Sequence, residues 1–332
     1  MERMIRIGSV GTSSIMHVIQ EALRLTDGLS CSMIYSRNAE RGREFAELMG
    51  IEKSCCDYFE MLNRDDIDVI YIASPNSLHV TQALQAMKAG KHVIVEKPAA
   101  VTKSDAAELY EAAMENHVFF FEAVTTLFMP NFTACRTLLP QLGRLSKAQL
   151  IYGQYSSKYD AYLRGENPNI FNPRMQGGAL NDMGIYCIHA AVSLLGRPQN
   201  VHYEASCGPN GIDLSGRLLL DYPDLTCEIV TAKDSSLPSG CLFEGENGYV
   251  AEDGPLNEFA KCRACIHGRE TVIDKQPPGN RMWYELSRFR DAILQRDTSF
   301  FESMAKQSLL AASILEQAHR QNGSDQNNRS LF

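Results

Sequence analysis

Over residues 4–122 the chain alternates short β-rich runs with amphipathic helical ones, and this alternation limits the fold more than any other feature of the sequence. A strand that returns to its own sheet through a helix gives parallel pairing, and a parallel sheet needs helices on both faces to bury its apolar side chains. Strand-like runs fall at residues 4–10, 30–36, 69–73, 92–95 and 118–121. Helical periodicity marks 15–25, 39–49, 77–89 and 103–116. Gly50 and Gly90 stand just past two of the helix ends, where a left-handed cap favours glycine.

After residue 122 the pattern changes. Residues 130–139 read as a helix and 145–156 as a strand. Further strand-like runs between 200 and 273 are broken by Gly208, Gly211, Asp221-Tyr222-Pro223-Asp224, Gly245 and Gly248, the spacing of antiparallel meanders. Amphipathic helices follow at 282–295 and 303–320, before a tail rich in Asn, Gln and Ser that is expected to be disordered. At 332 residues the chain is long for one core. The expected fold is α/β: a doubly wound parallel sheet of the Rossmann type over 1–122, then an α+β domain on a largely antiparallel open sheet over 123–332.

Composition narrows the partners. A formal net charge of −8, with no clustered basic run, argues against nucleic acid and for a small-molecule substrate. No stretch approaches the roughly 20 apolar residues needed to cross a bilayer, and the start lacks a signal-peptide core, so no membrane partner and a cytoplasmic location are expected. Ten scattered cysteines fit reduced thiols better than a disulfide framework. Cys262, Cys265 and His267 have metal-like spacing, but the two thiols would face opposite ways along an extended strand, and Cys55-Cys56 is less persuasive still. No metal is expected.

Three short signals carry the chemistry: Gly8-Ser9-Val10-Gly11-Thr12-Ser13, Glu96-Lys97-Pro98, and Gly177-Gly178-Ala179-Leu180-Asn181-Asp182-Met183-Gly184-Ile185-Tyr186. The first lies between a strand and a helix, where Gly8, Gly11, Thr12, Ser13 and Ile15 would meet a dinucleotide pyrophosphate at the helix amino end. Read from Gly11, the usual second and third glycines are Ser13 and Met16, so the approach to phosphate differs from the standard turn. A tight turn with no ligand explains the same two glycines. The second strand ends in Ser36 and Arg37 in place of the acid that holds an NAD ribose. Arg37, helped by Arg41, can make charge-assisted bonds to a 2′-phosphate, which favours NADP(H) over NAD(H); an exposed arginine opening a helix is the bland alternative. Ser74, Pro75, Asn76 and His79 lie at the carboxyl edge of the sheet, where ligands bind in such folds, although His79 could equally be a surface histidine.

Through these landmarks, with Ser74-Pro75-Asn76-Ser77-Leu78-His79 and Phe121-Glu122-Ala123, the chain resembles the Gfo/Idh/MocA family of oxidoreductases over almost its whole length. Within the family it is most similar to the dimeric dihydrodiol dehydrogenase and glucose-fructose oxidoreductase branch. The resemblance implies a dinucleotide domain contributing Glu96, Lys97 and Pro98 to the cofactor site, a cis Lys97-Pro98 peptide, and a second-domain sheet that makes homodimer or higher homo-oligomer contacts. It also implies hydride transfer with a sugar, cyclic polyol or diol. Ser13, Met16, and Leu127 where related chains often carry arginine, depart from the family pattern.

Glycines 177 and 178 open a helix read as running to Leu195, on which Asp182, Tyr186 and His189 share one side. Oxidising a secondary alcohol needs an acceptor for the hydroxyl proton while hydride leaves. Tyr186 is the expected acid/base; a phenol titrates near about 10, so Lys97 would supply the cation it needs and Asp182 would orient Lys97 or join the relay. Lys97 as the acid/base itself, and a purely structural Lys97–Asp182 pair, remain open. Tyr155, Lys158 and His189 are the candidate substrate contacts. A dinucleotide-sensing regulatory protein without turnover is the alternative from another functional class.

Overall fold

The computed structural model describes residues 3–277 and 279–329. The chain begins β1 (Ile5–Val10), α1 (Ser14–Leu25), β2 (Leu29–Tyr35), α2 (Ala39–Met49), β3 (Lys53–Cys55), α3 (Tyr58–Leu62), β4 (Val69–Ile72), α4 (His79–Lys88), β5 (His92–Glu96), α5 (Lys103–Glu115) and β6 (Phe120–Ala123). The six strands form a wholly parallel sheet in the order β3-β2-β1-β4-β5-β6. The order reverses beside β1, which places the Gly8–Ser13 turn at the carboxyl edge where such sheets bind ligands. Every residue of β4 and β6 is buried, as strands covered on both faces require. The sequence reading misses β3 and α3, because three and five residues are too few to establish a period.

The chain continues through α6 (Pro130–Leu138), β7 (Leu145–Gly153), α7 (Tyr159–Leu163), a π-helical turn Leu180–Gly184, and α8 (Ile185–Leu195). Seven strands follow: β8 (Asn200–Cys207), β9 (Asp213–Tyr222), β10 (Leu225–Ala232), β11 (Gly240–Gly245), β12 (Gly248–Asp253), β13 (Cys262–Ile266) and β14 (Arg269–Ile273). They join β7 in an eight-stranded sheet ordered β14-β13-β12-β11-β7-β10-β9-β8. All pairs are antiparallel except β7 with β10. One face, through Leu150, Leu218, Ile229, Phe243 and Val250, packs in a core with Phe132 of α6 and Ile188 and Ala191 of α8. Residues of the other face, including Ile151, Leu219, Val230 and Leu242, stay half-exposed. Cys262 is buried and Cys265 half-exposed, three residues apart on β13. Among the described residues no group of three or more His, Cys, Asp or Glu could hold a metal ion. No described helix is long and apolar enough to cross a membrane.

The chain closes with α9 (Met282–Gln295) and α10 (Thr298–Arg329). Its two compact units are discontinuous: residues 1–100, 104–123 and 279–309 form one, and 101–103, 124–278 and 310–332 the other. A single second block from residue 123 onward, expected from the sequence, therefore does not describe the path of the chain. Aromatic packing accounts for the difference: Phe289 of α9 stacks on Phe121 of β6 with ring centroids 4.7 Å apart, and Phe301 meets Phe119 at 5.5 Å. Asn280 adds a hydrogen bond to the Val18 carbonyl of α1 at 2.7 Å. The polar tail is helical to Arg329 where disorder is expected, and residues 330–332 lie outside the described part.

Candidate active site

In the first unit, β1 delivers Gly11 with φ +107°, and a Cβ there would stand 2.7 Å from the Ala73 carbonyl oxygen. Only glycine suits that conformation and that approach of the β4 end. Ser13 is the N-cap residue of α1, makes no side-chain cap bond, and no acid lies in the first helical turn. Met16 is fully buried, so the third fingerprint position is filled by a core side chain instead of a close helix–strand approach. Arg41 of α2 donates to the Thr12 carbonyl oxygen at 3.2 Å, bringing a guanidinium to the turn. Arg37 is exposed, while Ser36 is buried and accepts from the Asn38 backbone N–H at 3.3 Å. A glycine-only turn, a twelve-residue helix with no carboxylate at its start and an arginine at the turn fit a dinucleotide diphosphate.

Beyond β4, Ser74 Oγ donates to Gln82 Oε1 at 2.7 Å, followed by Pro75 and a 3₁₀ turn over Asn76–Leu78. His79 is fully buried, and its two ring nitrogens lie 2.9 Å from the Pro98 and Ser74 carbonyl oxygens. It is not a surface histidine: it fastens the Ser74 turn to the Lys97-Pro98 turn. Burial pushes its pKa down, opposed by those two backbone contacts. The Lys97-Pro98 peptide is cis, as the resemblance implies. Glu96, buried, accepts from Tyr71 Oη at 2.8 Å, and burial raises its pKa.

In the second unit, Gly177 and Gly178 are required by close contacts. A Cβ on Gly177 would collide with the Ile170 carbonyl, and one on Gly178, at φ +106°, with Asp213 Oδ1. Asp213 accepts from the Leu180 N–H at 2.7 Å and from Tyr203 Oη at 2.8 Å, and burial raises its pKa to about 6. Thr231 Oγ1 donates to the Ala179 carbonyl at 3.0 Å, and Asn181 joins Gly177 O at 3.2 Å to His319 Nε2 at 2.8 Å. These anchors explain why the helix begins at Leu180, three residues later than expected, and why its first turn is wide.

From Gly177 to Val192 every residue is buried except Asp182, whose side chain is 28% exposed. Tyr186 is buried against Tyr152, ring centroids 5.9 Å apart. Asp182 forms an ion pair with Lys233, a residue the sequence reading passes over; the expected pairing of Asp182 assigned that part to Lys97. Lys233 directly follows the apolar end of β10, and one sequence cannot distinguish such a lysine from a solvated one. His189, one turn beyond Tyr186, is fully buried on α8. Tyr155 is exposed and donates to Asp160 Oδ1 at 2.6 Å, and Lys158 is exposed at the start of α7. Their loop is tied to the β10 end by Gln154 N–H to Ala232 O at 3.0 Å and Ser156 N–H to Lys233 O at 2.9 Å. A cleft of about 850 Å³ beside α7 is lined by Tyr162, Asn167, Arg174, Met175 and Asn210, and by none of the three expected substrate residues.

The sequence profile of an oxidoreductase family with an NAD-binding Rossmann fold, GFO/IDH/MocA, matches residues 5–124, and that of the GFO/IDH/MocA C-terminal domain matches 140–251. The chain belongs to the GFO/IDH/MocA family. It is similar to scyllo-inositol 2-dehydrogenase (NADP(+)) IolU of Bacillus subtilis, with 34% identity over 96% of this chain and 98% of that one. It also resembles trans-1,2-dihydrobenzene-1,2-diol dehydrogenase of Mus musculus, 27% identical over 86% of this chain and 87% of the relative. Among solved structures, KijD10, a 3-ketoreductase from Actinomadura kijaniata in complex with NADP and TDP-benzene, has the same fold, with a TM-score of 0.85 at 21% identity over 96% of this chain and 98% of that one. As a GFO/IDH/MocA protein the chain is an oxidoreductase with an NAD(P)-binding domain.

Proposed function

We propose that the chain transfers hydride between NADP(H) and a secondary alcohol or carbonyl of a cyclic polyol, diol or sugar, as a cytoplasmic homodimer. The observation that carries the reading is the exposure of one acid, Asp182, on an otherwise buried helix, one turn before Tyr186. A carboxylate on an otherwise apolar helix is costly unless it is paired or functional, and the Lys233 pair leaves part of the Asp182 carboxylate in reach of solvent, where a substrate can meet it. The names of the inositol and dihydrodiol relatives support the substrate class.

The dinucleotide would be held by Gly8, Gly11, Thr12, Ser13 and Ile15 at its diphosphate, by Ser36, Arg37 and Arg41 at its 2′-phosphate, and by Ser74, Pro75, Asn76, Glu96, Lys97 and Pro98 towards its other end. When bound, it accepts or supplies the carbinol hydride. Tyr186 Oη takes the hydroxyl proton in oxidation and returns it in reduction. Lys97 Nζ polarises the substrate oxygen and favours the phenolate, and the Asp182 carboxylate orients the reacting hydroxyl.

The NADP preference rests on two guanidiniums and no acid at the β2 end. NADPH is expected to bind at least tenfold tighter than NADH when nicotinamide fluorescence is titrated in parallel, and Arg37→Ala with Arg41→Ala to bring the two together. Equal or NADH-favoured binding by the unaltered chain would remove the 2′-phosphate argument. The dimer rests on the half-exposed apolar side chains Ile151, Leu219, Val230 and Leu242 on central strands of the eight-stranded sheet. Sedimentation is expected to give twice the 37.0 kDa chain mass. A monomer at micromolar concentration would refute it.

A further inference from the structure

Lys233 is nearly as buried as a lysine can be, with 4% of its side chain exposed, and its ammonium meets the Asp182 carboxylate. Its backbone is held on two sides: its N–H donates to Leu214 O of β9 at 2.7 Å, and its carbonyl accepts from Ser156 N–H of the Tyr155 loop at 2.9 Å. The lysine therefore stands at a rigid junction and its reach is directed to a single acid. Buried ion pairs are poor stability devices, since well-packed apolar residues often serve a fold equally well. In this pair the lysine is enclosed while the acid is the one half-exposed residue between Gly177 and Val192, an arrangement that serves a use other than stability.

We propose that Lys233 is a positioning residue for the candidate site: its enclosed ammonium pairs with the Asp182 carboxylate and holds it charged and aimed. The inference rests on the hydride-transfer reading for its consequence in turnover, but the pairing itself is open to an independent measurement. The titratable groups around this helix start include Lys233 and Asp234 at the β10 end, Asp213 on β9, Tyr203 on β8, Tyr152 on β7, Tyr186, Cys187 and His189 on α8, and His319 on α10. Asp213, with its pKa near 6, is common to every variant below, so the differences between variants isolate Asp182. The sign follows from Coulomb attraction. A neighbouring cation lowers a carboxyl pKa, and its removal raises it by about 1 to 3 pH units.

The test uses Lys233→Met, Lys233→Arg, Asp182→Asn and the Lys233→Met/Asp182→Asn double variant of the full chain. Urea unfolding at pH 8 is expected to show that the two single losses do not add, because either change already breaks the pair. Additive losses would overturn the proposal. In turnover, Lys233→Met is expected to move the acidic limb of the kcat/KM profile up by about 1 to 3 pH units, so that the ratio of activity at pH 5 to that at pH 8 falls below that of the unaltered chain. Lys233→Arg is expected to keep the limb in place, and in the Asp182→Asn background Lys233→Met is expected to leave the profile unmoved. A loss uniform across pH, with Lys233→Arg no better than Lys233→Met, would make Lys233 a packing residue and refute the role. Non-additive unfolding in a chain that turns over no polyol, diol or sugar would support the control of Asp182 by Lys233 and refute the hydride-transfer reading alone.

Discussion

Tyr186→Phe is expected to lower kcat by about 10²- to 10⁴-fold, the usual contribution of a positioned acid/base, while leaving NADPH binding and stability nearly unchanged. Phenylalanine keeps the ring that packs 5.9 Å from Tyr152 and removes only the hydroxyl. Because the residue is buried, the phenyl ring fills the same space, and the cost in stability is at most that of the hydroxyl's own hydrogen bonding, about 0.5 to 1.5 kcal/mol. The measurement is kcat with the best polyol or ketone substrate, alongside fluorescence titration and thermal melting. The result also separates two assignments. If Lys97 Nζ moves the proton, Tyr186→Phe costs less than tenfold and Lys97→Met carries the loss instead.

The second large effect concerns folding. Gly178→Ala is expected to destabilise the chain by about 3 kcal/mol or more, from two separate penalties. The residue sits at φ +106°, where an L side chain is strained by about 1 to 3 kcal/mol. The new methyl would also displace Asp213, the fully buried carboxyl that holds Leu180 N–H and Tyr203 Oη, and each broken bond leaves a buried group costing about 1 to 3 kcal/mol. In a chain with about 5 to 15 kcal/mol of total stability this shows as a melting temperature lower by about 10 °C or as loss of soluble protein. Gly196→Ala is the control, with φ +79° but nothing within 4 Å of the added Cβ. A Gly178→Ala chain no less stable than Gly196→Ala would sink the argument from Asp213.

The first sheet is legible in the sequence because parallel strands buried on both faces write themselves as short apolar runs, as at β4 and β5, and glycines such as Gly50 mark where helices stop. Two of the three motifs were legible for a related reason: Gly11, Gly177 and Gly178 stand where a side chain would strike backbone or carboxylate. What escaped the sequence depends on contacts between distant positions. The return of residues 279–309 to the first unit turns on Phe289 meeting Phe121, and the partner of Asp182 lies 51 residues further along the chain at Lys233. The role of His79 was equally hidden, because a histidine between two carbonyls carries no local pattern.

The helix that carries Asp182 and Tyr186 is enclosed from Gly177 to Val192 and pinned by Asp213, Thr231, Asn181 and Lys233, so almost any change to its own sequence disturbs the interior. The loop bearing Tyr155 and Lys158 lies at the surface, and its backbone N–H groups tie it to Ala232 O, Lys233 O and Ser236 Oγ, bonds that any residue except proline can donate. On the proposed assignment, reaction chemistry and substrate choice fall in stretches with different tolerance to mutation, so that descendants of such a scaffold would acquire new substrates through that loop while inheriting the same proton-handling helix.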